Sequence, residues 1–142
     1  MEQKDYILRE MEKMGMMLRA IVTRIFGGNA NNAIPEEKQF EEVTEELLEN
    51  AGFDLNGFIQ MDDSRAVKYL EDRKDLNIRN LEDLALILEK LAGENRLLLQ
   101  QKALLILEHC RDTDRTYSIE RENRIGALKT ILEAGRYLVN RN

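Results

Sequence analysis

The spacing of the first apolar residues limits most strongly what this chain can become. Ile7, Met11, Met14, Leu18, Ile21 and Ile25 recur at steps of four and three. That period lines them up on one face of an α-helix for about three heptads. Met17, Val22 and Phe26 widen the stripe. Long strand-type runs of Val, Ile and Thr are missing, and with one proline and no tryptophan the composition favours amphipathic helices over sheets.

The helical period returns along the chain. "GGNANNAIP", residues 27–35, reads as a loop, because paired glycines and asparagines favour positive φ and the proline fixes the opening of the next helix. A second stripe of Phe40, Val43, Thr44, Leu47, Leu48 and Ala51 starts at Pro35, and Gly52 suits its left-handed end. Asp54 is placed to cap a short third segment, with Phe53 and Phe58 spaced as a hydrophobic staple. A further helix is expected over 63–73, with Ala66, Val67 and Leu70 inward.

Asn80 reads as an N-cap ahead of Leu81, Leu84, Ala85, Leu88, Leu91 and Ala92, with Gly93 closing the helix. Leu97 to Cys110 follows after so short a connection that residues 80–111 form a helical hairpin. In this second hairpin helix Leu97, Leu98, Leu99, Ala103, Leu104, Leu105, Ile106 and Leu107 occupy much of the circumference, which predicts a central position. The last helix runs from Ser118 to Val139, with Ile125, Leu128, Ile131, Leu132, Leu138 and Val139 inward. The expected fold is all-α, an irregular bundle of five to six helices in a single domain over 1–142, with an N-terminal amphipathic helix at 1–27 and a hairpin plus C-terminal helix at 80–142.

Charge narrows the partners. Residues 36–54 hold eight carboxylates against Lys38 alone, so this segment's −7 exceeds the net −6 of the chain and leaves +1 elsewhere. A pI near 5.0 gives non-specific nucleic-acid binding little support. The single Cys110 forms no internal bridge and suits a reducing compartment, and no basic leader or bilayer-length apolar run is present, so the expected location is cytoplasmic without membrane insertion.

Reactive constellations are weak. In "RDTDRTYSIEREN", residues 111–123, Asp112, Asp114, Thr116, Ser118 and Glu120 follow the alternate ligand positions of an EF-hand. The sixth position, which needs glycine, holds Tyr117, and the twelfth, which needs a bidentate glutamate, holds Asn123. The stretch reads better as a turn, with Ser118 capping the next helix and Tyr117 covering the elbow. His109 and Cys110 are adjacent and so point about 100° apart on a helix, which spoils a nucleophile–base pair. No catalytic residue, metal site or cofactor is predicted.

"ALLILEHCRDTDRTYSIER", residues 103–121, resembles the passage from the second helix of a tetratricopeptide repeat into the next repeat, with Ala103, Leu104, Ile106 and Leu107 at its small and aliphatic contacts. The proline and the Trp-Leu-Gly signature are absent, as is a 34-residue repeat. "DYILREMEKMGMMLRAI" and "DRTYSIERENRI" together resemble an uncharacterised bacterial family of small helical proteins. These resemblances imply a helical fold, in the first case a short array of helical hairpins, and supply no activity.

The leading functional expectation is therefore a non-enzymatic protein–protein interaction domain that engages a protein or peptide, with Tyr117, Arg121 and Arg124 as contact residues. A homodimer assembled through the seam of Ile7, Met11, Met14, Leu18, Ile21 and Ile25 is the first alternative. The second is an enzyme or small-ligand protein.

Overall fold

The structure, a computed structural model, describes the backbone of residues 2–27 and 35–141 and the side chains of 3–27 and 35–136. Most of the predicted 27–35 loop, and the side chains of Leu138 and Val139, lie outside the described residues. The described residues form seven α-helices and no strand. They are α1 (Glu2–Phe26), α2 (Gln39–Ala51), α3 (Leu55–Gln60), α4 (Asp63–Glu71), α5 (Ile78–Lys90), α6 (Arg96–Thr113) and α7 (Ile119–Arg141), with a 3₁₀ turn over Glu36–Lys38. The all-α class holds, and the short segment after Asp54 brings the helix number above the five to six expected.

That segment forms because its ends are satisfied locally. The Asp54 carboxylate accepts from the Gly57 amide at 3.0 Å, and Phe53 packs on Phe58 with ring centroids 5.4 Å apart. Tyr69 of α4 completes the aromatic cluster and accepts the Asp54 amide at 2.9 Å. Gly52 takes φ of 63° at the end of α2, where an L side chain would be strained. Arg73 then reaches back to donate to the carbonyls of Ala51 and Gly52.

α1 lies along α5, and α5 along α6, so α5 is the middle layer of a three-helix sandwich. The seam of α1 supplies the core of the first interface. Met14, Leu18 and Ile21 are buried, Ile25 packs against the same core, and Ile7 and Met11 are half-buried at its margin. The surface proposed for dimerisation is thus spent largely inside the monomer, opposite α5.

Three details depart from the sequence reading. Asn77, not Asn80, caps α5, its carboxamide oxygen accepting the Asn80 amide at 2.9 Å. Asn80 is freed to turn inward, where its Nδ2 donates to the carbonyls of Met11 and Asp75. α5 stops at Lys90 with Leu91 extended, three residues before Gly93. Leu48 and Ile131, expected inward, are 52% and 48% exposed, each lying at the edge of its helix's apolar stripe.

The Asn80 linkage fixes how closely α1 and α5 approach. Gly15 is buried where they cross, and a Cβ added there would lie 2.9 Å from Asn80 Oδ1 and 2.9 Å from Arg19 Nη1. Arg19 can swing aside, whereas Asn80 is held by two backbone carbonyls. Gly15→Ala is therefore expected to destabilise the protein by about 1–2 kcal/mol, overpacking outweighing the helix propensity gained. Gly126→Ala, where a Cβ meets nothing within 4 Å, is expected to stabilise by up to about 1 kcal/mol. Urea denaturation of both variants checks the pair, and a stabilised Gly15→Ala would contradict it.

Candidate functional site

α6 is apolar on two opposite sides. Leu99, Ala103, Ile106, Leu107 and Cys110 form its buried face, packed chiefly on α5. At 100° per residue, Leu97, Leu104 and Leu105 fall on the far side. That side is only partly covered, with Leu104 and Leu105 half-buried against the core. It is the floor of a half-open groove of about 930 Å³, walled by α4 on one flank and α7 on the other. Val67 of α4 and Leu132 of α7 extend the apolar lining. Leu97 is 54% exposed there. The expected central position holds in that α6 packs between α5 and α7 and also meets α3 and α4, while its outer side is only partly covered.

The rim is polar. Glu108, His109 and Asp112 line it from the end of α6, Asp63 from α4, and Arg136 and Gly135 from α7. Among the described residues no group of three or more His, Cys, Asp or Glu is placed to hold a metal ion. Cys110 lies on the buried face of the same helix, away from this rim. Burial and the nearby Glu82 carboxylate push its thiol up to about 12, so it stays protonated near neutral pH and lacks thiolate reactivity. His109 and Cys110 accordingly serve different surfaces.

The three residues expected to contact a partner are not one face. Tyr117 is 74% exposed at the α6–α7 turn and does not cover the elbow. Arg121 is 2% exposed, and its guanidinium donates at 3.0 Å to Glu82 of α5, at 3.0 Å to Asp114 and at 2.9 Å to the Thr116 carbonyl. Only Nε lacks a partner. Arg124 donates to Glu89 at 3.0 Å and to the Glu82 carbonyl at 3.2 Å. Both arginines are interior clamps that tie α7 and the turn to α5. Three apart on α7, both point at the acidic side of α5 and not at solvent. Ser118 does cap α7 as expected, accepting the Arg121 amide at 3.1 Å.

No family model matches the chain, and no curated protein or solved structure shows significant similarity to it. No described helix is long and apolar enough to cross a membrane.

The clamp makes stability depend on pH. Hydrogen bonds from the Thr116 amide and the Arg121 guanidinium hold Asp114 below the ordinary Asp value of 3.8. A carboxylate depressed on folding contributes stability that is present above its unfolded pKa and is lost as pH falls through its folded pKa. Burial acts oppositely on Glu89 and Asp83, raising them despite Arg124 and Arg19. Those two cost stability while ionised and return it as pH falls through their folded values. Asp114→Asn is expected to be less stable than the parent at pH 6, with the gap closing as pH is taken below 3.8. Arg121→Ala, which strands two carboxylates, is expected to cost about 2–4 kcal/mol. Denaturant midpoints across pH 2.5–6.5 test both, and a pH-independent gap for Asp114→Asn would remove Asp114 from this role.

Proposed function

We propose that this protein is a non-enzymatic adaptor that holds a helical segment of another protein in the groove on the outer side of α6. One observation carries the reading. A helix that is apolar on two faces needs cover on both, and among the described residues the outer face of α6 is only partly covered. The groove's length and its leucine floor suit the helix-in-groove mode, in which anchors at i, i+3 or i+4 and i+7 seat in an apolar trough. The half-open walls and the protonated Cys110 favour binding over turnover. The lone cysteine and the acidic pI favour a cytoplasmic setting without nucleic-acid partners. Burial of Met14, Leu18 and Ile21 weighs against a homodimer built on the α1 seam.

Gly135 offers a clean steric probe. It lines the groove, yet a Cβ there meets nothing within 4 Å, as at Gly126 earlier in the same helix. Gly135→Leu should fill the trough and leave the fold intact, with Gly126→Leu as its control. A photo-crosslinking residue in place of Gln101 is expected to trap polypeptide adducts in the native cell. The same residue in place of Glu45, exposed on α2, is expected to trap none. Gly135→Leu should abolish the adducts and Gly126→Leu should keep them. Absence of adducts at Gln101, or their survival in Gly135→Leu, would sink the proposal.

A further inference from the structure

Charge is segregated along the groove. Glu108 and Asp112 lie about one turn apart toward the end of α6, where the helix's own carbonyls add partial negative charge. Asp63 adds a carboxylate to the α4 wall. Among the described residues the guanidinium of the lining is that of Arg136, which belongs to the opposite end. Lys129 of α7 stands 3.7 Å from Glu108, and α7 turns back along α6. Two turns beyond Lys129, Arg136 therefore falls toward Gln101, two turns before Glu108. Leu104, Leu105 and Leu132 lie between the poles. From Leu97 to Asp112 the floor is about 22 Å long, roughly four helical turns.

The acidic pole is only loosely neutralised. Arg111 approaches Asp112 at 3.2 Å and Glu108 at 3.8 Å, and Lys129 approaches Glu108 at 3.7 Å, through solvent-exposed cationic side chains. Exposed pairs of this kind hold little energy. A cation delivered by a docked helix can replace them.

Resting on the groove reading and deepening it, the geometry points to one class of partner. It is an amphipathic helix of about four turns, net basic, lying antiparallel to α6. Lys or Arg in its N-terminal half meets Glu108 and Asp112, and a carboxylate near its C-terminal end meets Arg136. The partner's macrodipole runs the same way, its positive end against the acidic pole and its negative end against Arg136. Fixed charges and dipole thus select one orientation of two.

A phage-displayed library of amphipathic helices, with the leucine stripe fixed and the polar positions randomised, panned against the intact protein, tests this. Recovered sequences are expected to carry Lys or Arg in the first two turns and Glu or Asp in the last. A recovered peptide is expected to bind about tenfold more tightly than its counterpart with the charges exchanged end to end. Protein carrying Glu108→Lys and Asp112→Lys should reverse that preference. Glu108→Gln with Asp112→Asn should erase it, and serves if the reversed protein fails to fold by circular dichroism. Recovered peptides without charge polarity, or a preference unchanged in these variants, would overturn the orientation while leaving the groove reading intact. Equal recovery on Gly135→Leu, whose groove is filled, would overturn both.

Discussion

The architecture turns on how α6 buries its leucines. A helix with apolar residues around most of its circumference cannot sit at a surface, and solvent exposure of both faces would forfeit much of the burial energy that small helical domains depend on. α5 takes one face, and α4 and α7 crowd the flanks. α5 in turn is a strongly amphipathic middle layer, buried at Leu81, Leu84, Ala85, Ile87 and Leu88, and its remaining side is what α1 closes. The order of the layers follows from the order in which apolar faces find cover. The groove is the place where that sequence of coverings stops.

Apolar contact alone would leave the helices free to slide. Register comes from directional polar groups placed at helix ends and crossings. Asn80 ties α5 to α1 through the Met11 carbonyl, Arg73 ties the connection after α4 to the end of α2, and Arg121 and Arg124 tie α7 to α5. Arg24 adds a link between α1 and Glu46 of α2, so one carboxylate of the acidic helix is matched by a basic residue of α1. Each linkage satisfies carbonyls or carboxylates that would otherwise lie half-buried without a partner. The polar interior is small, specific and positioned where a shift of one helical turn would break it.

Much of the fold was legible because it rests on local rules. The stripe from Ile7 to Ile25, the left-handed Gly52, the Asp54 cap, the Phe53–Phe58 staple and the Ser118 cap are each decided by residues within a few positions of one another. What sequence could not settle were facts that depend on a distant neighbour. Whether Asn77 or Asn80 caps α5 turned on two carbonyls, one of them in α1 and so far away in sequence. Whether Arg121 faces solvent turned on Glu82, in a different helix. Leu48 and Ile131 lie at stripe edges, where burial is set by how wide the covering helix is. The groove did leave a sequence signal, the all-round apolarity of Leu97 to Leu107, but that signal reads equally as full burial, and only the placement of α4 and α7 separates the two.

Cys110 has a consequence for measurement. It is the protein's single thiol, fully covered, seated on the α5-facing side of α6 and within electrostatic reach of Arg121 and Glu82. An alkylating reagent therefore reaches sulfur only during excursions that lift a neighbouring helix away. The native chain thus carries its own clock for rare openings, read by mass spectrometry without any added label site, and a ligand that braces the far side of α6 would slow it.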